Sequence, residues 1–323
     1  MKFRCRDLNP GLSGESRDYP LFDPKKSTSY KKLSTNHALA RFFTRSNNDE
    51  CNFNVTYESG QSSSGIASVE TFTFPSSKRV PESIQGIVFG CTNNYQGQFA
   101  SNTLVTGIMG MNRSPLSLIG QMGTKSVRRF SYCLSKLNSP TKSTFLRFGN
   151  DIKEKGNFQK TSFLSARNDY SVKLLNLSIG GRVLTLPRGT FSSGCVFDVG
   201  SGTTYLEMGA YNAVKNALIQ HFDRFNLTRV GTDPSFPGDL CYLLQRGFRN
   251  YPGMVFHFQG ANFEIGPEAL FRFINDRFCL AVMGTQKRLT VLGAYQQQNV
   301  RFIYDIGNEK LLFAKEDCSQ DKA

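Results

Sequence analysis

Residues 195–206 constrain the fold of this chain more than any other stretch. The apolar run Cys195, Val196 and Phe197 reads as a strand and delivers Asp198. Gly200 and Ser201 then make a turn, and Thr203, Thr204, Tyr205 and Leu206 open a second run. A strand, a tight turn and a second strand aim one carboxylate out of a hydroxyl-lined loop. Read from its residues alone, an aspartate there is most simply a turn residue whose side chain caps its own backbone.

The rest of the chain supports a β-rich reading. From Leu21 onward, short strand-like runs alternate with turns of Gly, Pro, Asn and Ser, as at 52–57, 66–74, 86–90, 144–148, 170–179 and 289–292. One long helix is expected over 207–225, where Tyr211, Val214, Leu218 and Phe222 recur at three- and four-residue spacing. Shorter helices are expected at 115–122 and 294–299. The polar segment 151–160 is the best boundary between two lobes, giving 21–150 and 157–318, with 1–20 an unassigned leader. Gly107-Ile108-Met109-Gly110 and Val291-Leu292-Gly293-Ala294 echo each other across that boundary.

At 323 residues the chain can build two cores. No run approaches the roughly 20 apolar residues of a membrane span, and the charged start Met1–Asp7 carries no readable signal peptide. The net charge of +14 raises nucleic acid or an acidic polymer as partners. The basic residues are scattered, however, and Lys25, Lys26, Lys31 and Lys32 lie among Ser and Tyr with no nucleic-acid motif, so no nucleic-acid partner is expected. Eight cysteines without a Cys-x-x-Cys pair argue for disulfides or buried thiols and against a metal centre. Acceptor sequons stand at Asn54, Asn112, Asn176 and Asn226, the one at Asn112 weakened by Pro115. His37, His221 and His257 sit in unrelated contexts, and no nucleophile–base pair is legible.

Ordered short motifs resemble the plant nepenthesin-like family of pepsin-type aspartic proteases. They are Phe22-Asp23-Pro24 with Ser27-Thr28-Ser29-Tyr30, Thr71-Phe72-Thr73-Phe74, Phe89-Gly90-Cys91 and Pro115-Leu116-Ser117-Leu118. Phe130-Ser131-Tyr132-Cys133-Leu134, the Asp198 loop, Asp239-Leu240-Cys241-Tyr242, Cys279-Leu280-Ala281 and Gln296-Gln297-Gln298-Asn299 complete the series. The resemblance implies an all-β, bilobal pepsin-like fold and a monomer that cleaves protein or peptide substrates in acid without a cofactor. It implies an extracellular or vacuolar compartment. It makes Asp198 a catalytic residue, Gly200 and Ser201 its support, and Tyr57 the flap tyrosine. It pairs Cys133 with Cys318, tying the lobes together, and Cys241 with Cys279. It leaves Cys51 and Cys91 without their family partners, and Cys195 is expected to be unpaired as well.

The chemistry of that family needs two carboxylates, which share a proton because two charges in contact cannot both form cheaply. Here the Asp-Thr-Gly-Ser loop expected upstream of Phe22 is absent, and 12–16 hold no equivalent. Val199 replaces a Ser or Thr, and the flap reads Tyr57-Glu58-Ser59-Gly60-Gln61. The expectation is a family member with an incomplete first lobe, exposing Phe89 and Ile108, that is inactive as written. The alternative is a non-catalytic binding protein, like the plant xylanase inhibitors of the same architecture.

Overall fold

A computed structural model describes residues 2–5, 21–57, 60–76, 80–96, 106–139, 144–165, 167–233, 236 and 238–321. The chain separates into two compact units, Met1–Ser126 and Val127–Lys322. The division falls before the polar segment 151–160 because Arg129–Cys133 pairs along Val300–Asp305, and Arg147–Phe148 pairs with it in turn. Residues 129–148 are thereby stitched into the second unit.

The first unit is built on one seven-stranded sheet. Its spine is a long hairpin, Ser62–Phe74 against Glu82–Gln96, with Cys51–Thr56 alongside. The sequence showed only the apolar centres of these strands, so 66–74 and 86–90 fall short of the observed lengths. Their serine- and asparagine-rich ends are held by ladder hydrogen bonds rather than by side-chain burial. The start of the chain also joins this sheet. Lys2–Arg4 runs parallel to Glu82–Gln96 and antiparallel to Gly107–Ile108. Phe89 is consequently buried and Ile108 half-buried, where exposure was expected.

The same placement gives Cys91 a partner. Phe3 stands beside Cys91, so Cys5 arrives within 5.5 Å (Cα–Cα) of Cys91, and the two are bonded. Residues 6–20, including the segment 12–16, lie outside the described residues.

The second unit holds four smaller sheets. Met254–Phe258 and Ala261–Ile265 bury every second residue, as expected of strands with one wet face. Val300–Asp305 is buried at every position and lies between Lys310–Lys315 and Arg129–Cys133. Helix Met208–Asp223 buries Ala210, Tyr211, Val214, Leu218 and Phe222, the stripe read from sequence. Short turns of helix form at Leu118–Gln121 and Ala294–Gln297. Cys133 is bonded to Cys318, and Cys241 to Cys279. Both ends of the first bond belong to the second unit, so it closes that unit on itself instead of joining two lobes. Cys51 and Cys195 are buried free thiols.

Candidate active site

The Asp198 loop is positioned by its backing strand. Cys195–Phe197 pairs in parallel with Thr290–Leu292, and the Asp198 amide continues the ladder by donating to the Leu292 carbonyl at 3.1 Å. Beyond the aspartate the chain returns as Thr204–Glu207 on the other side of Thr290–Leu292. The loop is thus folded over the end of one buried strand. The echo motif 291–294 supplies that strand and the turn after it.

The carboxylate is fixed at both oxygens. The Gly200 amide donates to Oδ1 at 2.9 Å, and the Ser201 hydroxyl donates to Oδ2 at 3.0 Å. Gly293 closes the base of the loop. A Cβ there would fall 2.4 Å from the Thr203 carbonyl oxygen, so only glycine lets the two segments approach this closely. Its amide donates to the buried Thr204 hydroxyl oxygen at 2.9 Å, while the Ala294 and Tyr295 amides donate to the carbonyls of Ser201 and Gly202. Val199 is 47% exposed and offers no hydroxyl.

Behind the loop lies a polar chain that sequence reasoning missed. Gln297 Nε2 donates to the Leu292 carbonyl at 2.7 Å, the same oxygen that receives the Asp198 amide. Gln297 Oε1 accepts from the Tyr132 hydroxyl at 2.5 Å, and Tyr132 in turn accepts from Tyr304 at 2.7 Å. All three side chains are buried. Burial first, and with it the neighbouring charge of Asp198, pushes both phenols above the usual tyrosine range. They are neutral donors at any acidic or neutral pH. Tyr132 and Tyr304 are 172 positions apart, and each sits in an ordinary apolar strand, so nothing local in the sequence marks the pair.

Tyr57 belongs to the first unit and follows Cys51–Thr56 at the turn into Ser62–Phe74. Its amide donates to the Gln61 carbonyl at 2.8 Å, and Gly60 closes the turn at φ +82°. Burial, then Tyr95, raises its phenol. Glu58 and Ser59 lie outside the described residues. The histidines have structural partners: His37 caps Ala38–Phe42, His221 meets the Asn250 carbonyl, and His257 bridges Ser178 and Asn262. Asn54 is exposed on its strand, Asn226 lies in a turn at φ +52°, and Asn176 is half-buried.

Comparison with known proteins agrees with this geometry. The xylanase inhibitor N-terminal family model matches residues 3–150, and the xylanase inhibitor C-terminal model matches 169–315. Aspartic proteinase nepenthesin-1 of Nepenthes gracilis is 31% identical over 316 residues, covering 93% of this chain and 69% of the relative. Aspartyl protease family protein 2 of Arabidopsis thaliana is 28% identical, with 94% and 64% covered. The chain therefore spans about two thirds of the length of these relatives. Basic 7S globulin from soybean superposes with a TM-score of 0.75 at 18% identity, covering 94% of this chain and 85% of the globulin, which establishes the shared fold. With its strand-backed Asp198 loop, the chain belongs to the nepenthesin-like family of pepsin-type aspartic proteases.

Proposed function

We propose that this chain carries the second-aspartate half of an aspartic endopeptidase site, with Asp198 as the catalytic carboxylate. The observation that carries the proposal is the Asp198 carboxylate itself, held by the Gly200 amide and the Ser201 hydroxyl on a loop that Gly293 and Thr204 lock in place. In such a site a water lies between two carboxylates. One accepts its proton while the other, protonated, donates to the carbonyl of the scissile peptide bond. A carboxylate fixed at both oxygens loses little freedom when it binds that water. The substrates are proteins or peptides in an acidic extracellular or vacuolar compartment, and Tyr57 is the flap-tyrosine candidate.

The 323 residues hold one such aspartate loop, so this chain alone is expected to leave peptides uncut. Supplying an Asp-Thr-Gly-Ser segment upstream should create acid turnover, and Asp198→Ala should then remove about four orders of magnitude or more of the rate. Turnover that survives Asp198→Ala would overturn the assignment. Acid cleavage by the 323-residue chain alone, lost in Asp198→Ala, would overturn its inactivity. The second reading, a non-catalytic binding protein, is favoured by Val199 in place of a hydroxyl residue.

A further inference from the structure

The second unit carries a groove of about 310 Å³, lined in part by residues just before the strand Cys195–Phe197. Leu175, Asn176, Leu186, Pro187, Thr190 and Phe191 line it. Its lining mixes polar and apolar side chains, and Leu175 is 52% exposed. The cause is local. The register of Leu174–Ile179 against Met254–Phe258 shifts between Leu174 and Asn176, and this bulge turns Leu175 outward.

Asn176 is the polar anomaly of this strand. Asparagine is depleted in strands, and this one lies in a strand paired on both sides, against Arg182–Val183 and Met254–Phe258. Its Oδ1 accepts the Leu177 amide at 2.8 Å, whereas its Nδ2 has no hydrogen-bond partner among the described residues. It also begins Asn176-Leu177-Ser178, an acceptor for N-linked sugar. Of the other three sequon asparagines, Asn112 is weakened by Pro115, and the remaining two have simpler explanations. Asn226 sits at φ +52°, a conformation asparagine tolerates better than most residues. Asn54 is an exposed strand residue opposite Ser64. Neither lines the groove.

We propose that Asn176 is the glycosylated sequon of this chain and that the first sugar lies in the groove, its apolar face against Phe191, Pro187 and Leu175. The inference rests on the secretory compartment proposed above. In the transfer, Asn176 Nδ2 forms a bond to the anomeric carbon of a lipid-linked diphosphate oligosaccharide and loses one proton. The bond from that carbon to the diphosphate oxygen breaks, and the lipid diphosphate leaves. No oxidant or reductant is involved. The glycan covers apolar surface that would otherwise face water, and the groove holds the glycan's root in one orientation.

The test is the full chain secreted from plant cells behind an added leader peptide. Release of the glycan by peptide N-glycosidase in heavy-oxygen water should leave labelled aspartate at position 176. Asn176→Gln should abolish that label, and Ser178→Thr should keep it. NMR on the glycosylated chain should show proximity between the first sugar and the Phe191 ring or Leu175 methyls. Secreted chain with Asn176 bare, whether or not Asn54 or Asn226 is occupied, would overturn the proposal. Occupied Asn176 with a sugar that contacts none of the groove residues would overturn the docking. A cytosolic location for the protein in its own cell would remove the compartment reading alone, because the leader-driven experiment still reports on the acceptor.

Discussion

The two units hold their sheets together with different materials. The first relies on long backbone ladders and a polar clasp, in which Ser27 and Ser29 donate to the carboxylate of buried Glu70, joined by the Thr71 amide. Among the described residues, Leu33, Ala40, Cys51, Ala67 and Val88 form one buried apolar cluster, and Cys5, Phe89 and Cys91 another. The second unit is packed with aromatic rings. Phe222 contacts Tyr242, Phe271 and Phe278 at centroid distances of 4.9–5.7 Å, and Phe197 lies among Phe258, Phe263 and Phe302. Phe197 is the residue immediately before Asp198. The unit that carries the Asp198 loop is the one with these packed rings, and large interlocking rings resist small displacements.

That contrast can be broken by mutation. Phe222→Ala should cost about 3–5 kcal/mol in chemical denaturation, since it empties a fully buried aromatic site. Leu33→Ala, among alanines and small residues, should cost about 2 kcal/mol. Equal losses would show that ring packing does not distinguish the units. Cys5→Ser should cost about 2–4 kcal/mol through the loss of the Cys5–Cys91 closure. Hydrogen exchange should then rise along Glu82–Gln96 and stay unchanged along Cys195–Phe197. Rising exchange in both strands would mean that the units are not independent.

The smallest effect concerns acid. Burial works to raise the Asp239 carboxyl, but hydrogen bonds from Lys215 and Tyr211 outweigh it and hold the group below its ordinary value. A carboxyl lowered on folding stabilises the protein above its unfolded value, and the contribution is lost as pH falls through the folded one. Lys215→Met should therefore be less stable than the parent at neutral pH, by at most about 1 kcal/mol once solvent screening is counted, and equal to it in strong acid. A difference that grows on acidification would contradict the ion pair. In the first unit's clasp, by contrast, the described partners of Glu70 are hydroxyls and an amide.

What could be read beforehand follows the range of the interaction. The helix Met208–Asp223 was legible because its buried stripe repeats within one turn. The Asp198 loop was legible because strand, carboxylate, glycine and hydroxyl are neighbours in sequence. Tyr132, Tyr304 and Gln297 were not, since their hydrogen bonds join positions 165 and 172 residues apart. The Cys5–Cys91 bond was missed for a similar reason. Lys2-Phe3-Arg4, one apolar residue between two basic ones, is too short to show a period, and only its slot between Glu82–Gln96 and Gly107–Ile108 makes it a strand.

The tyrosine pair behind Asp198 has an electrical consequence. Among the described residues, the side chains whose hydrogen bonds brace the loop from within its own unit are hydroxyls, an amide and phenols: Ser201, Thr204, Gln297, Tyr132 and Tyr304. Burial also pushes the Cys195 thiol well up, so it too stays uncharged. Between strong acid and neutrality none of these groups gains or loses a proton. The mounting of the aspartate is therefore silent to acidification, and a compartment can swing through several pH units without altering the field from behind the carboxylate. Any pH response of this site therefore arises outside that mounting.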